Sequence, residues 1–178
     1  GLEEIWRDDN AHWHRFLHPV GKDPRQSSPV YVCADGKNRL WVGEYRSSLI
    51  RYIPKHRPGR ESQLIRDKEL LTGRDIPSGV VMVMVDRDGL LWFSAEGVTV
   101  VDPDHPPVVK RTFTTADGLP STSIRALYQD HDGNIWFGAG YGGGIAMLPR
   151  GDWTGRITTH YGLQNGLPND YIRAFGED

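Results

Sequence analysis

A tryptophan-centred motif recurs in this sequence, and its spacing restricts the fold more than any other feature does. A Gly or Asn precedes each of three segments that carry Trp41, Trp92 and Trp136, which are 51 and 44 residues apart. A second marker, Gly-Leu-Pro, begins at Gly118 and returns 48 residues later at Gly166. Self-similarity at such a period indicates a repeat architecture in which each unit stacks on the next.

Within one repeat, short apolar segments alternate with turn residues. Around Trp136 the predicted elements are strand A at 124–128, a hairpin turn at 130–133, strand B at the tryptophan, strand C at 145–148 and strand D at 156–161. No apolar pattern with a helical period competes with this interpretation. Four short strands in roughly 45 residues are typical of one propeller blade, so the sequence predicts an all-β fold of four-stranded antiparallel blades.

The repeat boundaries predict a partial propeller of about three and a half blades. The expected pieces are strands C and D of one blade at 1–20, blades at 28–73, 76–117 and 120–165, and strand A of a further blade at 168–178. A blade sheet cannot bury both faces alone, so the blades are expected to stack with the tryptophans between them. A propeller closes with at least about four blades. We therefore expect unpaired blade edges and self-association through them.

Charge and composition exclude several classes of partner. The formal net charge is −2, and the basic residues are dispersed along the 178 residues, which argues against a nucleic-acid partner or direct membrane contact. No apolar segment approaches the roughly 18 residues of a membrane span. The single cysteine, Cys33, excludes an internal disulfide and a thiolate metal site, and it lies in an apolar run where a small core residue is expected.

The segment at 115–138 resembles the two-component regulator propeller repeat. Its sequence, TADGLPSTSIRALYQDHDGNIWFG, is similar to that family's order of Asp-Gly-Leu-Pro-Ser, spaced apolar residues, an Asp and Gly turn, and an apolar-Trp-apolar-Gly ending. The residues at 166–178 match the first half of the pattern. The resemblance is looser at 76–95, where Ser94 replaces the usual Gly, and loosest at 29–43.

This resemblance implies a propeller from the extracytoplasmic side of a bacterial sensor protein, in the periplasm or beyond. In that family a membrane helix and an output domain follow, commonly a histidine kinase or a diguanylate cyclase. The implied role of the propeller is ligand sensing without catalysis. The expected partner is a small molecule, with oligosaccharides as one candidate class.

Ligands of propellers usually sit over the central channel, at the face formed by the B–C and D–A loops. Tyrosine and arginine side chains with scattered carboxylates in these loops can stack on a sugar and hydrogen-bond to it. The candidate ligand-binding residues are Tyr45, Arg46, Arg74, Glu96, Tyr141 and Asn169. Each of them taken singly is equally compatible with an ordinary polar loop residue.

Two patterns raise the question of a metal ion. The turns at 86–89 and 130–134 space carboxylates as a calcium loop does, but no third ligand or bidentate Glu follows. A tight hairpin with Gly or Asn at positive φ is favoured, and Asn38 at the equivalent position fits it. The other pattern is three histidines near the first predicted strand D, for which solvated imidazoles are favoured over a metal site. They are His12, His14 and His18.

Two other functional classes stay open. The segments at 89–93 and 133–137 also resemble the blade motif of streptogramin-type lyases, which are propeller enzymes with a His/Glu and magnesium centre. The predicted loops of the ligand face contain no histidine, so no catalytic residue, metal ligand or cofactor is assigned. The remaining class is a protein-interaction scaffold.

Overall fold

The structure is a computed structural model with two units, residues 1–79 and 80–178. It describes residues 2–7, 13–18, 29–44, 48–57, 60–71, 80–105, 108–152 and 156–178.

The described part of the first unit consists of two antiparallel sheets. In the smaller sheet, β1 (Leu2–Arg7) pairs with β2 (Trp13–His18), with Leu2 opposite His18. The larger sheet has the order β3-β4-β5-β6. Its strands are β3 (Pro29–Ala34), β4 (Leu40–Glu44), β5 (Leu49–Arg57) and β6 (Arg60–Leu71).

The second unit contains two four-stranded antiparallel sheets in its described residues. The strands of the first are β7 (Met82–Val85), β8 (Leu91–Ala95), β9 (Gly97–Asp102) and β10 (Val108–Phe113). The strands of the second are β11 (Ile124–Gln129), β12 (Ile135–Ala139), β13 (Ile145–Leu148) and β14 (Thr159–Tyr161). Each strand pairs with its neighbour in sequence, so the predicted all-β fold of four-stranded blades is confirmed.

The structure of the last residues differs from the one predicted from the sequence. No strand is present at 168–178, where the sequence predicts strand A. The Ile172 N–H does donate to the Ala139 carbonyl at 2.9 Å. However, a strand is defined by a ladder of such bonds, and within the described residues no ladder forms here. The fourth strand of the preceding sheet, β14, is likewise shorter than the predicted 156–161.

The core of the second unit lies between its two sheets. The Trp92 ring on β8 stacks on Phe113, with centroids 6.0 Å apart, and meets Phe137 of the next sheet at 6.2 Å. All three side chains are fully buried. Burial of one such ring contributes about 1.5–3 kcal/mol. Trp92 therefore fills the space between the two sheets of this unit, as predicted for the tryptophan of the repeat.

The Gly-Leu-Pro marker is explained by backbone conformation. Gly118 ends a short 3₁₀ turn with φ at +100°, and a Cβ there would lie 2.1 Å from the Ile157 carbonyl oxygen. Gly166, the second copy of the marker, closes an equivalent turn with φ at +93°. Side chains disfavour this φ at both positions, and at Gly118 the nearby Ile157 backbone also leaves no room for a Cβ.

Candidate functional site

Each hairpin between the first two strands of a four-stranded sheet carries an aspartate bound to the tryptophan six residues later. The distances from Trp Nε1 to Asp Oδ2 are 3.0 Å for Trp41 to Asp35, 2.7 Å for Trp92 to Asp86 and 2.7 Å for Trp136 to Asp130. The other carboxylate oxygen accepts backbone N–H groups of the turn. The predicted positive φ is present at Asn38 (56°), Gly89 (81°) and Gly133 (90°). These turns are therefore hairpins closed by their own aspartates.

Burial and hydrogen bonding shift the pKa values of these three aspartates in different directions. Burial raises the pKa of Asp86 above its ordinary value of 3.8, and the hydrogen bond from Trp92 only partly opposes this. The residue four positions on, Leu90, has no side-chain donor. Among the three hairpin aspartates, Asp86 is therefore the one whose pKa is shifted mainly by burial.

The other two hairpins have an additional donor at that position. Arg39 Nε donates to Asp35 at 2.6 Å, and Asn134 Nδ2 donates to Asp130 at 2.9 Å. Burial alone would raise the pKa of Asp35 and of Asp130. Hydrogen bonds from the tryptophan and from these donors outweigh burial, so both pKa values fall below 3.8. Both carboxyls are held in the ionised form.

An arginine and two tyrosines meet at the loop end of β11, and we call Arg125, Tyr141 and Tyr171 the arginine–tyrosine cluster. Arg125 lies at a β-bulge: Ile124 pairs with Ala139 and Ala126 with Gly138, so Arg125 is the extra residue. A bulge re-aims a side chain out of the regular alternation.

The contacts within the cluster are close. Arg125 Nη2 donates to the Tyr141 hydroxyl at 2.9 Å, and the guanidinium carbon lies 5.0 Å from the centre of the same ring. The Tyr141 and Tyr171 rings meet edge to face, with centroids 6.2 Å apart at 77°. Tyr141 is 64% exposed and Tyr171 is 51% exposed. Two aromatic rings and a cation are therefore presented together at the surface.

The charge of Arg125 is not neutralised within this cluster. Its Nε is buried, and no described residue is a hydrogen-bond partner for it. No carboxylate in the described part of the chain forms an ion pair with the guanidinium. A guanidinium without an acidic partner, beside exposed aromatic rings, is suited to bind an anionic or polar ligand.

The sequence-predicted site residues fall into two groups. Tyr45, Arg46 and Arg74 lie outside the described residues. Of the described ones, Tyr141 is part of the cluster, and Asn169 supports it by accepting the Tyr171 N–H on Oδ1 at 2.8 Å.

Glu96 is placed differently from the cluster. It is exposed in the turn between β8 and β9, where the next residue, Gly97, donates its N–H to the Thr122 carbonyl at 3.0 Å. No hydrogen bond or ion pair among the described residues joins Glu96 to Arg125. The site prediction missed Arg125 and Tyr171. A sequence signal exists for the arginine, since the triplet Ile-Arg-Ala at 124–126 recurs at 172–174.

The three histidines considered as a possible metal site lie outside the groups that the structure describes. His12 and the side chains of His14 and His18 are not among the described groups. In the part of the chain that the structure describes, no three His, Cys, Asp or Glu side chains are grouped to hold a metal ion.

A polar clasp joins the last residues to the β11–β12 hairpin. The Glu177 carboxylate is hydrogen-bonded to His131 Nδ1, to the His131 N–H and to the Tyr128 hydroxyl, the last at 2.8 Å. The hydrogen bond to Glu177, followed by the charge of Asp132, raises the pKa of His131. The bonds from His131 and Tyr128 lower the pKa of Glu177. The preceding repeat has the backbone part of this contact, in which Gln129 Oε1 accepts the Arg87 N–H at 2.8 Å.

One face of the β11–β14 sheet is less covered than its counterpart. Trp136 stacks on Tyr161 at 5.9 Å, as Trp92 stacks on Phe113 in the preceding sheet. However, Trp136 is partly exposed and Tyr161 is 39% exposed. A hollow of about 280 Å³ lies beside Trp136 and Phe175. This is the side on which the preceding sheet receives Phe137.

Comparison with known proteins identifies the repeat. Residues 118–141 match the family described as Two component regulator propeller, which confirms the resemblance seen in the sequence. No curated protein sequence matches the chain.

Solved structures share the fold over almost the whole chain. One is the extracellular domain of the putative hybrid two component system BT3049 from B. thetaiotaomicron, with a TM-score of 0.67 and 18% identity, covering 98% of this chain and 24% of that one. Another is PorZ, a surface component of the type-IX secretion system of Porphyromonas gingivalis, with a TM-score of 0.63 and 14% identity, covering 98% of this chain and 26% of that one. The chain thus spans about a quarter of their length.

A third similar structure is an enzyme. Virginiamycin B lyase from Staphylococcus aureus has a TM-score of 0.53 and 15% identity, covering 93% of this chain and 50% of that one. At these identities the likeness establishes the propeller fold alone. Because one fold is shared by a signalling protein and a lyase, function has to be argued from the site.

Proposed function

We propose that this chain is the ligand-sensing propeller portion of a bacterial two-component or related signalling receptor. It would act outside the cytoplasm and would be non-catalytic in itself. The observation that carries the proposal is the arginine–tyrosine cluster, which presents two exposed rings and an unneutralised guanidinium at one loop end. The repeat match at 118–141 and the likeness to an extracellular domain of a putative two component system support it. No helix of the described residues has the length and apolar character that a membrane span needs.

The cluster has the chemistry of a saccharide-binding surface. Exposed tyrosine rings pack against the apolar faces of sugar rings, while hydroxyl and guanidinium groups hydrogen-bond to the sugar oxygens. The Asn169 contact holds the Tyr171 backbone, so part of the surface is ordered before a ligand arrives. Preorganisation of this kind reduces the entropy lost on binding.

Ligand titration tests the proposal. The purified chain is titrated with a panel of mono- and oligosaccharides, with binding followed by ligand-detected NMR and tyrosine fluorescence. Tyr141→Ala is expected to remove binding, because it removes one ring and the hydroxyl that Arg125 contacts. Val109→Ala is the matched control, since Val109 is similarly exposed on β10.

Two results would contradict the proposal. One is a panel in which no saccharide binds, and the other is equal binding by the Tyr141 and Val109 variants. Conversion of a bound compound into a new product, seen by mass spectrometry, would favour the lyase alternative, which the structural likeness to virginiamycin B lyase keeps open. Binding without conversion favours sensing.

We also propose that the chain self-associates through its uncovered blade surface. The support is the partly exposed aromatic face at Trp136 and Tyr161, beside a hollow of about 280 Å³, compared with about 90 Å³ for the hollow beside Trp92 in the preceding sheet. In the preceding sheet, the same face is buried by an aromatic ring from a neighbouring blade. A blade of a second copy is therefore a fitting occupant.

A further inference from the structure

We infer that the arginine–tyrosine cluster binds a ring-shaped ligand that carries a carboxylate, and that the ligand class is a sugar acid such as a terminal hexuronate. This inference rests on the proposed function, because it names the ligand class of the same surface. The inference goes beyond the proposed function because it requires a negative charge on the ligand.

The charge argument begins with the nitrogens of Arg125. One Nη2 hydrogen is used by the Tyr141 hydroxyl, and Nε is buried. The remaining Nη hydrogens have no partner among the described residues. A carboxylate that approaches the end of the guanidinium can accept two parallel N–H bonds, and such charge-assisted pairs are the strongest hydrogen bonds that arginine forms. A neutral hydroxyl would leave the positive charge uncompensated.

The ring argument comes from the two tyrosines. Their planes are 77° apart, so they form a corner with Tyr141 beneath the guanidinium carbon at 5.0 Å. A pyranose ring that packs on one exposed tyrosine face brings a substituent at its edge toward the arginine. In a hexuronate that substituent is the carboxylate. The cluster thus offers an apolar contact and an anion contact at adjacent points.

The local backbone is built to hold the arginine in this position. Besides the bulge, Gly140 gives the stem room: a Cβ there would lie 2.5 Å from both Cγ and Cδ of Arg125. The fold itself does not require an arginine at this point. Val81 occupies the equivalent position of the preceding repeat, next to Val80, which is buried just as Ile124 is. The blade fold therefore tolerates an uncharged residue at this position, whereas this repeat and the next one carry an arginine there.

Matched sugar pairs test the inference with the full 178-residue chain. Galacturonate and glucuronate, as monomers and short oligomers, are compared with galactose and glucose of the same length. The acid is expected to bind at least about tenfold more tightly than its neutral twin, the effect of one charge-assisted bond. Arg125→Gln should erase that preference. Arg173→Gln should preserve it, because Arg173 is the exposed arginine at the same position of the next repeat.

The possible binding results distinguish this inference from the proposed function. Equal binding of acid and neutral sugars, unaffected by Arg125→Gln, overturns the inference while sensing of neutral saccharides survives. Absence of binding by every sugar overturns both proposals. Equal losses in the Arg125 and Arg173 variants would mean attraction by surface charge in general, which also overturns the inference. Arg125→Lys serves as a second variant: it retains the charge but loses the planar fork, so an intermediate affinity is expected.

Discussion

Replacing Asp86 by asparagine tests whether the aspartate of the hairpin holds the inter-sheet tryptophan in place. The two carboxylate oxygens have separate roles. Oδ1 accepts the N–H groups of Asp88 (3.0 Å) and Leu90 (2.8 Å), while Oδ2 accepts Trp92 Nε1 at 2.7 Å. Asparagine has nearly the same shape but only one acceptor oxygen. Its NH₂ group must therefore face either the turn or the indole N–H.

The cost follows from which donor loses its partner. Trp92 is fully buried, so an indole N–H without an acceptor costs about 1–3 kcal/mol. Part of this is offset, because burial raises the pKa of Asp86 and its charge is itself unfavourable in the folded state. Because of this offset, we expect Asp86→Asn to destabilise the chain by about 1 kcal/mol, the lower end of that range. Asp88→Asn, an exposed change in the same turn, should stay within about 0.5 kcal/mol of the unmodified chain.

Urea unfolding followed by tryptophan fluorescence and by circular dichroism measures the difference. The comparison is valid where the m-values of the two variants agree, because the surface exposed on unfolding is then the same. Equal midpoints for Asp86→Asn and Asp88→Asn would refute the reasoning. They would mean that the indole finds another acceptor or that the Asp–Trp bond contributes nothing net.

Two further predictions concern the clasp and the uncovered face. Glu177 has a lowered pKa, so its contribution to stability through the clasp is lost only as the pH falls below about 4.5. His131 has a raised pKa, so its contribution to stability is complete below about 6.5 and is lost as the pH rises through the raised value. An NMR titration of the His131 ring should give a pKa nearer 6.5 in Glu177→Gln, and an unchanged value would contradict the pairing. Light scattering on a size-exclusion column should show self-association that Tyr161→Glu weakens and Val109→Glu does not, whereas a monomer at every concentration would exclude it.

Local signals in the sequence were sufficient for the blades and their hairpins. Strand alternation, Gly and Asn in the turns and the tryptophan period each depend on a few neighbouring residues. Asn38 illustrates this, since its positive φ followed from its position in the repeat alone. The Asp–Trp bond was missed, although the spacing of six is visible at Asp35, Asp86 and Asp130. The bond joins a turn to a strand, and sequence patterns identify these two elements separately.

The site was only partly predictable because its geometry depends on ladder register. Tyr141 and Asn169 were predicted from their loops, whereas Arg125 was assigned to an ordinary strand. Its side chain reaches the cluster because of a β-bulge, in which two residues of β11 lie opposite one residue of β12. The sequence of one strand does not reveal such a bulge. Tyr171 was placed in a predicted strand A that does not form a ladder in the structure.

The repeats themselves separate the residues that maintain the fold from those available for recognition. The aspartate of the hairpin is the same in all three repeats, because every blade needs its tryptophan held by an acceptor. The bulge position is not constant. It is Val30 in the β3–β4 pair and Arg125 in β11, and the equivalent residue of the remaining sheet is Val81, which precedes a β7–β8 pairing without a register shift. A side chain at a bulge leaves the ladder, so its identity can change without loss of a backbone hydrogen bond. A propeller of this kind can thus place a recognition residue on each blade while its stability stays with the hairpins.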